Sequence, residues 1–274
     1  MSANAVLTSV QQRALEALAT YRFLTIDLMR RVGVGSDPKN LRTALAPMLR
    51  HHWIGRTATV PTTPGLGRLP HLYWLRPSGA ALVGELRDED PPPSTVRTVT
   101  AVEELPHRIA IIETHIALRA WAGSAGVSLD WFRGDYEPGS GKLQKATTLP
   151  YPAGRYTPDA IAQVTPADGK PRLLVIEVYR GGRRHTLDHF RRKLSQLREV
   201  CEAEAVERHL GVPRAARFVV LFSDEAMRGG ALSHWPDRNA SPWARFFVKH
   251  VGELAEFNGG WWQPNGAQRA LFHE

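Results

Sequence analysis

Residues 173–179 have the sequence LLVIEVY, the most informative segment for the fold of residues 101–274. An apolar run of this length, followed by two glycines, predicts a strand that is buried on both faces of a sheet. Glu177 is the one charged residue in the run. Because a buried carboxylate without a partner is costly, we expect Glu177 to be paired or to bind a cation.

A second carboxylate, Asp159, lies near the start of the preceding predicted strand, residues 156–164. If the two strands pair as a hairpin, Asp159 and Glu177 approach each other. Two hard oxygen ligands at one edge of a sheet suit Mg²⁺ (or Mn²⁺), which can bridge to phosphate and activate a water. Glu113, on the helix before these strands, is a candidate third ligand or a surface glutamate. Asp159 is alternatively a turn cap, and Glu177 alternatively pairs with Arg155 or Arg180.

The elements around these strands follow the order helix, strand, strand, strand, helix, strand. The predicted bounds are a helix at 104–121, strands at 128–133, 156–164 and 173–179, a long helix at about 186–209, and a strand at 217–222. Residues 134–155 are predicted to form a long, turn-rich loop.

Lys193 lies on the flank of the apolar stripe of the long helix. The stripe consists of Leu187, Phe190, Leu194, Leu197 and Cys201, at helical spacing. A lysine on that flank can extend back along the packed helix toward a metal site at the edge of the sheet. We therefore expect Lys193 to lie near the two acids.

Pro158-Asp159 in one strand and Glu177-Val178-Tyr179 in the next resemble the PD-(D/E)XK signature of restriction-endonuclease-like nucleases. Tyr179 stands where that signature has its lysine, and a tyrosine cannot supply a positive charge. In that superfamily the lysine is found on the following helix in some members. The resemblance therefore implies that Asp159, Glu177, Tyr179 and Lys193 form the catalytic site, with Lys193 orienting the water or stabilising the charged phosphorane. Tyr179 as a covalent nucleophile is the less favoured alternative.

The residues before position 88 predict three short helices, a hairpin and a closing helix. The three helices are predicted to start at about Ser9, Thr25 and Ser36. The strands of the hairpin are predicted at 53–60 and 71–75, and the closing helix at Pro77. This order resembles winged helix-turn-helix DNA-binding domains over residues 7–86. Pro47 inside the third helix predicts a kink, or two helical pieces.

Basic residues dominate the third helix and the hairpin, with six against one acid between positions 36 and 80. The candidate DNA-binding residues are Lys39, Arg42, Arg50, Arg56 and Arg68, together with Arg183 and Arg184 before the long helix. Such a charge asymmetry favours phosphate contact. A solvated basic face, or a winged helix that docks on protein, is the alternative.

The composition favours a polyanionic partner, because the net charge is +8 and the sequence pI is about 10.0. No apolar run approaches the roughly 18–20 residues that span a bilayer, and the first residues lack the pattern of a secretory signal. Cys201 is the single cysteine, which excludes an intramolecular disulfide. We therefore expect a cytoplasmic protein that binds double-stranded DNA, not membrane, with a homodimer as a further possibility.

A proline run at 91–93 marks a linker. The chain is therefore predicted to have a winged helix at 1–88, a linker at 89–100, and an α/β nuclease-like domain at 101–274. The fold class of the whole chain is α+β. The combination resembles the replication–relaxation or MobC-type plasmid mobilisation proteins. The matching stretches are 107–110 (HRIA), 158–159 (PD), 176–181 (IEVYRG) and 190–194 (FRRKL). The resemblance implies a metal-dependent DNA nickase or endonuclease of plasmid or integrative-element replication or mobilisation. The alternative is an inactive DNA-binding factor, regulatory or a relaxosome accessory, that retains the nuclease fold.

Overall fold

The structure is a computed structural model that describes residues 7–57, 70–92, 105–135, 137, 145–180, 187–212 and 215–272. The predicted wing tip, Arg68, Arg183 and Arg184 lie outside these residues. None of the helices in the described ranges is long and apolar enough to cross a bilayer.

The chain divides into two compact units, residues 1–105 and 106–274. The described part is α+β, with eight α-helices and a mixed seven-stranded sheet as its largest sheet.

The first unit packs four helices around a small antiparallel sheet. Its elements are α1 (Ser9–Tyr21), β1 (Phe23–Leu24), α2 (Ile26–Arg31), α3 (Pro38–Arg50), β2 (Ile54–Arg56), β3 (Tyr73–Leu75) and α4 (Pro77–Arg87). The strand order is β1-β3-β2, so the chain's first strand pairs with its third. Helix α1 contacts α3, and Leu15 and Leu18 of α1 and Leu41 and Leu45 of α3 are among the buried residues of this unit.

Capping residues fix where the helices of this unit begin. Thr25 caps α2 and Asp37 caps α3, each by accepting a hydrogen bond from a backbone N–H of the first turn. Pro38 is the first residue of α3, where a missing N–H costs nothing. The prediction that Pro47 splits this helix into two pieces is wrong, because α3 continues through Pro47 to Arg50.

The second unit is built on the seven-stranded sheet. Its elements are α5 (Leu105–Ser124), β4 (Ser128–Gly134), β5 (Leu149–Tyr151), β6 (Gly154–Tyr156), β7 (Ala160–Thr165), β8 (Arg172–Tyr179), α6 (Leu187–Glu202), α7 (Ala205–Leu210), β9 (Arg217–Phe222), α8 (Glu225–Ser233), β10 (Phe246–His250), β11 (Trp261–Trp262) and β12 (Gln268–Arg269), with short 3-10 helices at Ser241–Arg245 and Val251–Glu253. The strand order is β12-β11-β10-β9-β8-β7-β4. Strand β7 is antiparallel to both of its neighbours, β4 and β8. Strands β8, β9 and β10 run parallel to one another.

Strand β8 lies inside the sheet and is buried on both faces, as its apolar run predicts. Leu173, Val175 and Tyr179 share one core cluster with Phe190 and other apolar residues of α6. Because side chains alternate along a strand, Glu177 lies on this same face, under α6.

Three predicted boundaries in this unit are wrong. The predicted loop at 134–155 contains strand β5, which pairs with β6 as a hairpin, and Tyr156 belongs to that hairpin rather than to the next strand. The predicted helix at 186–209 is two helices, because Glu204 adopts a left-handed conformation (φ 48°) that ends the first helical run.

The aromatic residues near the C-terminus contribute to the core of the second unit. Trp235 and Trp243 pack edge to face at 5.5 Å, and Trp243 also packs on Phe246 of β10. Trp261 is fully buried. These rings therefore serve packing rather than base stacking.

Gly79 provides a test of the packing of the first unit. A Cβ atom at this position would lie 2.0 Å from the carbonyl oxygen of Trp53, because the start of α4 crosses the chain just before β2. We expect Gly79→Ala to lower the free energy of unfolding by about 1–3 kcal/mol, as forced overpacking does.

The control is Gly123→Ala in α5, where the added methyl meets nothing within 4 Å. It should stabilise the protein by up to about 1 kcal/mol. Denaturant unfolding curves of both variants measure the two effects, and equal changes would contradict the packing described.

Candidate functional site

The structure brings the two predicted acids together at the start of β7 and near the end of β8. Ala160 lies opposite Ile176 in the antiparallel register, and the next step of that register places Asp159 opposite Glu177. The Asp159 Oδ2 atom accepts a hydrogen bond from the backbone N–H of Val178 at 2.7 Å. The two residues are 7% and 1% exposed, so both carboxylates are held away from water.

Lys193 and Tyr156 hold the Glu177 carboxylate. The Nζ atom of Lys193, on α6, lies 2.6 Å from Oε2, and the hydroxyl of Tyr156, at the end of β6, donates to Oε1. Lys193 therefore lies where the helical pattern predicts. The alternative pairing of Glu177 with Arg155 or Arg180 is wrong, because Arg155 is exposed in its hairpin and Arg180 donates to the Pro106 carbonyl.

His107, in the first turn of α5, is the partner of Asp159. Its Nε2 atom lies 3.1 Å from Oδ1 of Asp159. Sequence reasoning missed both His107 and Tyr156 as site residues. The nearest signal was that His107 belongs to the stretch 107–110 that carries the family resemblance. With these two residues, each of the four carboxylate oxygens of the acid pair has a protein donor.

Burial and neighbouring charges shift the pKa values of the two acids in opposite directions. Burial raises the pKa of Glu177 to about 7, and the charge of Asp159 adds to this effect while Lys193 opposes it. Burial alone would raise the pKa of Asp159 too, but the hydrogen bond and charge of His107, with the charge of Lys193, hold it below its ordinary value. Asp159 is therefore an ionised carboxylate at neutral pH, whereas Glu177 exchanges its proton in this range.

The acid pair suits a divalent cation by its ligand chemistry. Carboxylate oxygens are the hard ligands that Mg²⁺ and Mn²⁺ prefer, and each oxygen keeps a second lone pair beside its hydrogen bond. Mg²⁺ is commonly held by one or two carboxylates, with waters and phosphate oxygens completing its shell. Asp159 and Glu177 therefore fit such an ion without a third protein ligand.

The Tyr179 ring is part of the apolar core beside the acids. It stacks on Phe222 at 5.3 Å and meets Phe190 edge to face at 5.1 Å. Burial raises the pKa of its phenol well above the ordinary value, and the charges of Glu177 and Asp159 add to the shift. A phenolate nucleophile is therefore disfavoured, and the ring contributes to the packing between β8, β9 and α6.

Glu113 lies further along α5, where its charge acts on Arg180. In the part of the chain that the structure describes, no three His, Cys, Asp or Glu side chains form a group able to hold a metal. The structure therefore does not bring Glu113 together with Asp159 and Glu177 as one set of ligands.

Four of the predicted DNA-binding residues lie on the surface of the first unit. Lys39, Arg42 and Arg50 are exposed on α3, and Arg56 is exposed at the end of β2. At 100° per residue the three helical positions share one face, opposite the buried Leu41, Leu45 and Met48. Within the described residues, none of the four takes part in an ion pair, so their charges are available to a ligand.

No protein-family model matches this chain, and neither a curated protein nor a solved structure is found to be similar to it. The geometry of the two units is therefore the basis for any functional proposal.

Lys193→Met tests whether the charged pair at Glu177 is formed at neutral and alkaline pH. Because the pKa of Glu177 in the folded protein is about 7, its carboxyl is mostly protonated at pH 5 and attracts Lys193 little. At pH 8 it is ionised, and loss of Lys193 leaves a buried charge short of its partner. We expect the variant to be destabilised by about 2 kcal/mol or more at pH 8, and clearly less at pH 5.

Denaturant unfolding at the two pH values measures this difference. Arg192→Met, at the exposed neighbouring position of α6, is the control and should show no such pH trend. A destabilisation by Lys193→Met that is the same at pH 5 and pH 8 would contradict the charge assignment.

Proposed function

We propose that this chain is a double-stranded DNA-binding protein whose second unit is a divalent-metal-dependent DNA nickase or endonuclease. The process that we propose for it is plasmid or integrative-element replication or mobilisation. The observation that carries the proposal is that the buried carboxylates of Asp159 and Glu177 lie together, with the half-buried Lys193 bonded to Glu177.

The first unit supports the proposal by its topology and its charge. The order α1-β1-α2-α3-β2-β3, with β1 beside β3, is the arrangement expected of a winged helix. Helix α3 stands in the place of the recognition helix of such a domain. Its exposed face carries Lys39, Arg42 and Arg50, which suits contact with phosphates and base edges in the major groove.

The second unit supports the proposal by its order of elements. The order α5-β4-β7-β8-α6-β9, with three antiparallel strands followed by a helix and a parallel strand, agrees with the order expected of a restriction-endonuclease-like core. The hairpin of β5 and β6 is an insertion between the first two of these strands, and it contributes Tyr156 to the site.

The side chains of the site have separate roles in this proposal. Asp159 and Glu177 would hold the cation, which when bound supplies Lewis-acid polarisation of the scissile phosphate and an activated water. Lys193 places a positive charge beside Glu177, where it can stabilise the negative charge that develops on the phosphate. Tyr156 and His107 fix one oxygen of each carboxylate, which keeps the ligands preorganised.

A second function is favoured by one specific observation. All four carboxylate oxygens of the acid pair accept hydrogen bonds from the protein itself. Such a network satisfies buried charge without a cation. The second candidate is therefore a non-catalytic DNA-binding factor in which the nuclease fold is a scaffold.

DNA binding by α3 predicts a loss of phosphate contacts when its basic residues are removed. We expect Lys39→Ala and Arg42→Ala each to weaken binding to duplex DNA and to reduce the slope of log K against log salt by about 0.9. Arg30→Ala is the control, because Arg30 lies on α2 and is bound to Asp27 and to the Ser36 carbonyl. Fluorescence anisotropy at several salt concentrations measures the slopes. Unchanged slopes in both α3 variants would exclude this face as the DNA contact.

Catalysis predicts metal-dependent nicking that requires Glu177. The substrate is a supercoiled plasmid carrying the DNA that neighbours the protein's own gene, incubated with Mg²⁺ or Mn²⁺. We expect nicking by the wild-type protein and background levels with Glu177→Ala. Asp168→Asn, in the turn at the far end of β7 and β8, is the matched control and should nick normally. Binding without nicking by the wild-type protein would support the scaffold function instead.

A further inference from the structure

A third acid, Asp135, continues the row formed by Asp159 and Glu177. Strand β4 ends at Gly134, which lies opposite Ala160 of β7. The backbone N–H of Asp135 donates to the carbonyl of Asp159 at 2.8 Å. The three acids therefore lie next to one another at one edge of the sheet, with Asp135 directly after β4, Asp159 directly before β7 and Glu177 near the end of β8.

The two carboxylate oxygens of Asp135 differ in their surroundings. Oδ2 accepts a hydrogen bond from Lys145 Nζ at 2.8 Å, whereas Oδ1 is buried and has no hydrogen-bond partner among the residues that the structure describes. The negative charge of this side chain also acts on His107 and Lys193, the hydrogen-bond partners of the acid pair. Asp135 therefore belongs to the same electrostatic cluster.

Local structure does not account for the buried oxygen. The turn after β4 is held by Glu137, whose carboxylate accepts the backbone N–H of Gly134. Lys145 is largely exposed and occupies only the other oxygen of Asp135. A buried acceptor without a protein donor is a position where an ordered water or an ion belongs.

We propose that Asp135 is a third acid of the divalent-cation site, accepting hydrogen bonds from waters around the cation held by Asp159 and Glu177. This inference rests on the proposed metal site. Mg²⁺ keeps several of its waters in proteins, and partners beyond the direct ligands commonly tune its binding. A role through water also agrees with the finding that the described residues contain no group of three direct ligands.

Two variants with opposite expected effects test the proposal. Asp135→Asn keeps the shape of the side chain but removes its charge, so it weakens Mn²⁺ binding about 10-fold. Lys145→Met removes the cation that shares this carboxylate, so it strengthens Mn²⁺ binding. A merely structural role would not produce shifts of opposite sign. Asp168→Asn is the control, because Asp168 also pairs with a basic residue, Arg172, but lies at the far end of the strands.

Electron paramagnetic resonance of free Mn²⁺ measures these affinities on the full chain without DNA and without any cleavage step. Thermal unfolding in EDTA verifies that each variant is folded. If Asp135→Asn binds Mn²⁺ like the wild type while Asp159→Asn does not bind, this inference is overturned and the proposed nuclease site stands. If the wild-type protein itself binds no Mn²⁺, the inference and the proposed catalytic function fall together. Weakening by both Asp135→Asn and Lys145→Met would also overturn the inference.

Discussion

The antiparallel pairing of β7 with β8 determines where the charged side chains of the second unit lie. Its register sets Asp159 opposite Glu177, in a place where each carboxylate is almost fully buried. Two buried carboxylates opposite each other are strongly unfavourable as charges unless hydrogen-bond donors and opposite charges compensate them. The surrounding elements can therefore be understood as the source of that compensation.

Four separate elements contribute donors to the acid pair. Helix α5 brings His107, helix α6 brings Lys193, the inserted hairpin brings Tyr156, and β8 offers its own backbone at Val178. These contacts connect both helices and the hairpin to the same point of the sheet. The same network gives the two acids different pKa values. Asp159 stays ionised, while Glu177 exchanges its proton near neutral pH.

Local signals in the sequence were sufficient for much of the fold. The continuous apolar runs predict β8 and β9 because a strand buried on both faces needs no alternation. The helix starts predicted at Thr25 and Ser36 lie within two residues of those of α2 and α3. The prediction of Lys193 rests on the helical stripe together with the nuclease resemblance, in which the lysine can lie on this helix. Strand β1 was missed because two residues carry no periodicity, and the hairpin of β5 and β6 because its strands have only three residues each. The positions of His107 and Tyr156 in the site depend on contacts between residues far apart in the sequence, which no local pattern predicts.

The proposed nuclease site requires Asp159 and Glu177 to hold one divalent cation together. Anomalous diffraction from crystals of the full chain soaked in Mn²⁺ locates such an ion. We expect a peak bounded by oxygens of both carboxylates, on the side of α6 where Lys193 lies. The absence of a peak, with Glu177 still bonded to Tyr156 and Lys193, would contradict it and leave the acid pair as a purely structural network.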